Sequence, residues 1–182
     1  MEVIKGDIDG LLIFQPRVFT DNRGYFFESF NQEKFNQLTG LDIHFCQDNE
    51  SLSNKNVLRG LHFQKPPFAQ GKLVRVISGK VLDVAVDIRK SSATYGKCQL
   101  VELSAENKKI FWIPPGFAHG FLVLEENTVF SYKCSNYYSP ESEGTIKWND
   151  KDLNIEWPIS NPNVSEKDNV GEDFVNFVSL FE

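Results

Sequence analysis

Long apolar runs are missing from this sequence. No hydrophobic stretch approaches the roughly 20 residues that a membrane-spanning helix needs. The opening Met1-Glu2-Val3-Ile4-Lys5-Gly6-Asp7 also lacks the basic-then-apolar pattern of a signal peptide, so the chain is expected in the cytoplasm and away from the membrane. Cysteine is scarce. Cys46, Cys98 and Cys134 lie far apart with no C-x-x-C spacing, which fits neither a disulfide framework nor a structural zinc site; they read as core thiols. Only three histidines occur, His44, His62 and His119, none with a second ligand at the close spacing of a metal site on one strand, and no metal is expected. G-x-G-x-x-G, G-x-x-x-x-G-K-[ST] and G-x-S-x-G are absent, so dinucleotide, P-loop and nucleophile-elbow chemistry have no support.

Positive charge is also in short supply. A net charge of −6 and a pI near 5.2 argue against a nucleic-acid binder held by phosphate contacts. The average hides a division: residues 55–97 hold nine Lys and Arg against two acids, and residues 141–182 hold three against ten. Two solvated faces of opposite sign, or a local anion site, both fit that division.

What is present points to one β-domain spanning residues 1–182. A chain of 182 residues buries about 70% of its extended surface, enough for one substantial core. Helical periodicity is limited to Asn31–Thr39, where Asn31 can cap, Phe35 and Leu38 share a face and Gly40 can terminate. About ten short β-branched and aromatic segments follow one another between Gly, Pro, Asn and Asp punctuation: 11–19, 25–30, 45–51, 57–64, 72–78, 80–88, 99–103, 110–113, 120–124 and 128–135. Such a pattern predicts a sandwich or barrel. Within 80–88, Leu82, Val84, Val86 and Ile88 alternate with Val81, Asp83, Ala85 and Asp87, so one face is apolar and the other carries polar groups. A two-residue hairpin at Ser78-Gly79 would set Lys72 opposite Ala85 and diagonal to Asp83, giving a charged pair inside the barrel or at its mouth. From about Pro158 an irregular tail begins, closing with a short helix that uses Phe174, Val175 and Val178.

The densest polar constellation is Val57-Leu58-Arg59-Gly60-Leu61-His62-Phe63-Gln64 with Gln70-Gly71-Lys72-Leu73-Val74-Arg75. On an apolar strand, His62 fits a hydrogen-bonded core residue as well as a base. Two long cations beside it, Arg59 and Lys72, are hard to explain by packing and favour a site. His119 follows the Pro114-Pro115-Gly116 turn, where a histidine is commonly just exposed. Tyr132 alternates with Phe130 and Cys134 and suits a barrel-filling aromatic.

Phe19-x-Asp21-x-Arg23-Gly24-x-Phe26-x-Glu28, Gln47-x-Asn49-x-Ser51, Val57-Leu58-Arg59-Gly60-Leu61-His62, Gln70-Gly71-Lys72-Leu73-Val74-Arg75 and Pro115-Gly116-Phe117-Ala118-His119-Gly120-Phe121 together resemble the dTDP-4-dehydrorhamnose 3,5-epimerases. The likeness runs on through Tyr132-Lys133, Tyr137-Tyr138-x-Pro140, Glu143-Gly144, Trp148-x-Asp150 and Trp157-Pro158 to about Asp168. Cys46, the Lys65-Pro66-Pro67-Phe68 loop and the tail after Gly171 depart from it. The resemblance implies an all-β, cupin-type double-stranded β-helix (jelly roll) with short peripheral helices. It also implies a homodimer working without metal or cofactor on a dTDP-linked 4-keto-6-deoxyhexose, inverting C3 and C5.

By the same resemblance His62 is the proton acceptor, Asp168 holds its tautomer, Tyr132 is the donor and Lys72 steadies the enolate. Arg23, Arg59 and Lys167 would meet the diphosphate, and Glu28, Gln47 and Asn49 the thymine or sugar hydroxyls. His119 and Glu143 would lie near the ring, with Tyr138 among the substrate contacts. Phe19 and Phe26 would line the base pocket or serve as core aromatics. A C4 ketone acidifies hydrogens on both neighbouring carbons, so one base, one acid and one cation can serve both inversions. Relatives on this scaffold that invert one carbon or move the keto group, and a non-catalytic sugar-nucleotide binder, remain the alternatives.

Overall fold

The computed structural model describes all 182 residues. In chain order the elements are β1 (Glu2–Lys5), β2 (Leu12–Gln15), β3 (Phe19–Asp21), β4 (Gly24–Phe26), α1 (Gln32–Thr39), β5 (Gln47–Ser53), β6 (Leu58–Gln64) and β7 (Lys72–Ser78). They continue with β8 (Lys80–Asp87), β9 (Cys98–Ser104), β10 (Ile110–Ile113), β11 (Phe117–Val123), β12 (Thr128–Cys134), β13 (Glu143–Thr145) and α2 (Glu166–Asn169). The first sheet runs β1-β2-β10-β7-β12-β5, the second β13-β6-β11-β8-β9, and β3 pairs only with β4. All ladders are antiparallel, and the two large sheets face each other in the expected jelly roll of cupin type.

Alternation along the strands builds the core between the sheets. Val74 and Val76 from β7 meet Val81 and Ala85 from β8, with Phe111, Phe121 and Phe130 filling the remaining space. The opposite face of β8 is also dry. Val84, Val86 and Ile88 lie under a cover of Ile146, Leu153, Phe177 and Phe181 from the C-terminal part of the chain. A third cluster sits beneath α1, where Phe35 packs edge-on to Trp112 and Phe45. Asn31 caps α1 by accepting from Lys34 N at 3.0 Å, and left-handed Gly40 ends it, as the sequence predicts. A cap of this kind is worth about 1 kcal/mol.

Several expectations need correction. Residues 72–78 and 80–88 form no hairpin with each other: β7 pairs with β10 and β12, whereas β8 pairs with β9 and β11. Gly79, at φ +78°, is instead the corner at which the chain changes sheets. Lys72 and Asp83 therefore belong to opposite walls of the barrel. Segment 11–19 breaks after Gln15 because Pro16 has no N–H to give a ladder. Of residues 25–30 only Tyr25 and Phe26 are in a strand, the end of β4, and β1 and β13 are additional to the expected strands because short edge strands carry little periodicity. The tail closes with a 3₁₀ turn at Phe174–Asn176, and its buried anchors are Phe177 and Phe181, while Val175 and Val178 are exposed. Of the three thiols only Cys134 is fully buried. No helix is long and apolar enough to cross a membrane.

Candidate active site

The site grows from the β6–β11 ladder, in which His62 and His119 are register partners. Just past them the strands shift register, and here Gly60 lies against Gly120. A Cβ on Gly60 would fall 2.5 Å from the Gly120 Cα, and its φ of +127° suits no other residue well. The missing side chains let the two backbones close up and bring both imidazoles into one wall. Behind β6, Asp168 sits on α2, its N–H bonded to the Ser165 hydroxyl at 3.1 Å.

Asp168 Oδ1 lies 2.6 Å from His62 Nε2, and its second oxygen accepts from Gly60 N at 3.4 Å. Burial would raise this carboxyl, but the bonds from His62, Gly60 and Ser165 more than offset it and hold it below the usual carboxylate range. The ring is thereby fixed through one nitrogen. The other ring face remains reachable, since the His62 side chain is 28% exposed while that of Asp168 is 4%.

Two connected hollows meet at this point. The outer one, about 500 Å³, is lined by Gln47, Asn49, His62, Gln64, Gln70, Lys72, Tyr132, Tyr138 and Glu143. A deeper one of about 140 Å³ is lined by Ser51, Arg59, His62, Lys72, His119, Phe130 and Tyr132. His62, Lys72 and Tyr132 border both. The Lys72 nitrogen lies 5.9 Å from the centre of the Tyr132 ring and forms no hydrogen bond or ion pair within the protein. Burial lowers its pKa, an effect resisted by Cys134, Asp83 and Glu143. Burial also raises the Tyr132 phenol, which keeps its proton and can donate it.

At the mouth, Glu143 accepts from the Tyr138 hydroxyl at 2.8 Å and pairs with Lys167 at 2.5 Å. Burial pushes the Glu143 carboxyl up, but these bonds bring it below its ordinary value. Gln47 also accepts from Tyr138 N and donates to Asn49, which fixes that edge of the cleft. Arg59 rests on the Ser53 hydroxyl, 3.1 Å away, with no carboxylate partner. His119 is buried, contrary to its expected exposure in a turn, because β11 starts at Phe117 and carries it inside against Asp83.

The remaining four predicted positions lie elsewhere in this single chain. Phe19, Arg23 and Phe26 line their own hollow on the β3–β4 hairpin, where Arg23 pairs with Asp21. Glu28 pairs with Lys34 near α1. Asp83, expected only as a charged partner of Lys72, is the acceptor that holds His119, and Gln64 and Gln70 line the outer hollow although neither was expected to bind substrate.

Comparison with known proteins identifies the lineage. The family model for dTDP-4-dehydrorhamnose 3,5-epimerase matches residues 5–176. This chain belongs to that family. It is 57% identical over 176 residues to the dTDP-4-dehydrorhamnose 3,5-epimerase of Shigella flexneri, covering 97% of each protein. The crystal structure of the enzyme of that name from Elizabethkingia anophelis superposes with a TM-score of 0.92 at 54% identity, over 96% of this chain and 97% of that one. The dTDP-6-deoxy-D-glucose-3,5-epimerase of Legionella pneumophila, crystallised with dTDP-4-keto-L-rhamnose, gives 0.89 at 50% identity, over 92% and 89%.

Proposed function

We propose that this family member epimerises dTDP-4-dehydro-6-deoxy-D-glucose at C3 and C5, giving dTDP-4-dehydro-L-rhamnose. The observation that carries the reading is the junction where a carboxylate-held imidazole, a protonated phenol and an unpartnered ammonium border one hollow. His62 takes the proton from a carbon beside the ketone, and the C–H electron pair moves into the C–C bond as the carbonyl becomes an enolate. Lys72 donates to the enolate oxygen, where charge develops. Tyr132 then protonates the same carbon from the opposite ring face, and the carbonyl reforms. Asp168 steadies the imidazolium between the two transfers. Solvent then takes the proton from His62 and returns one to Tyr132, after which the same groups serve the other carbon.

Arg59 and Lys167 are suited to the diphosphate, and Gln47, Asn49 and Tyr138 to the thymine end of the outer hollow; His119 and Glu143 stand nearest the sugar. The hairpin supports a homodimer. Phe19, Tyr25 and Phe26 are all more than half exposed, on strands that pair only with each other. Seated on a second copy, this hairpin would bring Arg23, Phe19 and Phe26, with Glu28 behind them, to the partner's cleft, adding a cation for the second phosphate.

The test is NMR in D₂O with dTDP-4-keto-6-deoxyglucose. Deuterium entering both C3 and C5 supports the double inversion. Label at one carbon would make the protein a mono-epimerase, and tight dTDP binding with no exchange would make it a binder.

A further inference from the structure

Beside the His62–Asp168 pair stands a second carboxylate–imidazole pair that the reaction above does not use. Asp83 Oδ1 and Oδ2 lie 3.0 and 2.9 Å from His119 Nε2, and both side chains are enclosed. Asp83 is fully buried on β8 and has no other hydrogen-bond donor. A carboxylate offers about four acceptor sites, so one N–H leaves it poorly satisfied in a dry interior. Burial of a charge so lightly bonded is costly unless another positive charge offsets it.

That charge is Lys72. It projects from β7 in the opposite sheet and borders the same small hollow as His119, the ring that Asp83 holds, yet its nitrogen has no partner of its own; burial raises the Asp83 carboxyl, and His119 and Lys72 resist that rise. The titratable groups around Lys72 are Asp83 on β8, His119 on β11, Tyr132 and Cys134 on β12, His62 and Arg59 on β6, Glu143 on β13, Asp48 and Glu50 on β5, and Tyr138 at the mouth. Glu143 is already taken by Lys167 and the Tyr138 hydroxyl. Burial holds the Cys134 thiol protonated, with a pKa pushed up to about 11. Asp168 is committed to His62. Asp48 is paired with Lys133 and Glu50 is exposed to solvent, so among the enclosed acids only Asp83 has spare acceptor capacity and no cation of its own.

We propose that Asp83, with His119 bonded to one side of it, is a positioning residue that keeps Lys72 charged and aimed into the cavity. It touches no reacting atom. Its negative charge favours the ammonium form of Lys72 without a direct ion pair, so the N–H donors of Lys72 remain free for the enolate oxygen. The inference rests on reading the site as an enolate-forming one.

The experiment compares Asp83→Asn, Asp83→Ser and Asp83→Glu with the wild type, with folding checked by thermal melts. Asp83→Asn should lower kcat by about 30- to 300-fold with KM changed less than about threefold, as befits weakened transition-state stabilisation. The alkaline limb of its kcat–pH profile should move to lower pH by one unit or more, because Lys72 loses its proton more readily. Asp83→Glu should recover most of kcat and the position of that limb. Competitive acetylation of Lys72 against pH, followed by mass spectrometry, should show the same displacement without turnover.

An unmoved limb and unchanged Lys72 reactivity in a folded neutral variant would overturn the proposal, whatever happens to kcat. So would failure of both neutral variants to fold while Asp83→Glu folds, which would make Asp83 a purely structural anion. Absence of exchange in the wild type would instead count against the proposed function, and Lys72 acetylation would still report on Asp83.

Discussion

Replacing Lys72 with methionine separates chemistry from architecture. The ammonium donates no hydrogen bond within the protein, so its removal breaks none and withdraws only the charge that offsets buried Asp83. Methionine is about as long and equally unbranched, so the packing against Tyr132 survives. The fold should therefore be only mildly affected, losing about 1 to 3 kcal/mol through Asp83, or less than about 10 °C in Tm for a domain of this size. Catalysis should not be. Loss of one donor aimed at a developing oxyanion costs about 3 to 4 kcal/mol, or about 10²- to 10³-fold in kcat. The ground-state ketone carries little of that negative charge, so KM should change only a few-fold. Steady-state kinetics, with deuterium washout at C3 and C5 read separately by NMR, would measure both parts. A rise in KM that accounts for the whole loss would show uniform binding and refute the enolate role; a fall in Tm well beyond about 10 °C would make the lost rate a folding defect and refute the separation of chemistry from architecture.

Asp168→Asn should cut kcat by about 10³- to 10⁴-fold by releasing His62 from its tautomer, and adding His62→Asn should cost little more, since the two act as a unit; retention within tenfold of wild type would reject the pairing. Asp87 is held at a pKa of about 2, where bonds from Arg89, Ser92 and Thr94 outweigh the opposing effect of burial. Its folded pKa lies below the unfolded one, so its contribution of about 2 kcal/mol is present above about pH 4 and is lost as pH falls toward 2. Urea unfolding of Asp87→Asn should show that deficit at pH 7 and little of it at pH 2. If the β3–β4 hairpin completes the partner's cleft, Arg23→Ala and His62→Asn, each strongly impaired alone, should regain about a quarter of wild-type activity when dissociated and reassociated together, because half the dimers are mixed and each mixed dimer has one intact site. No recovery on mixing would place Arg23 and His62 in the same subunit's site.

Much of the sheet structure was legible because β-branched and aromatic runs between turn residues are a local signal, and α1 was legible because its cap and its terminator both lie in the sequence. The pairing of strands was not. Ser78-Gly79 looks like a hairpin turn from its two residues, but whether the chain folds back within one sheet or crosses to the other depends on Thr128 and Ala105, which approach from far along the chain. Lys72 and Asp83 were expected near each other and are, but across the barrel and not along a ladder. Arg59, His62 and Lys72 stand out as polar groups among apolar ones, whereas the role of Tyr132 and the Asp168–His62 bond, which spans 106 residues, were reached only through family resemblance. The hairpin residues show the opposite limit: sequence likeness associates them with the site, and one chain leaves them outside it.

The two imidazoles of the β6–β11 ladder show how one local device yields two kinds of group. Each has a carboxylate on Nε2, and each lies within the same pair of strands, brought together where Gly60 meets Gly120. They differ in depth. The His62 side chain is 28% exposed and that of His119 is 7%. A base must reach its proton within hydrogen-bond distance, so the reachable ring suits proton transfer. The enclosed ring sits where burial lowers its pKa despite the attraction of Asp83, and where a positive neighbour, Lys72, disfavours its protonation further. Burial also raises the Asp83 carboxyl, an effect that His119 and Lys72 resist, so the carboxylate and the ammonium on the opposite wall each favour the other's charged form. On the proposed mechanism, depth within the barrel thus separates the pair that exchanges protons from the pair that supplies a field.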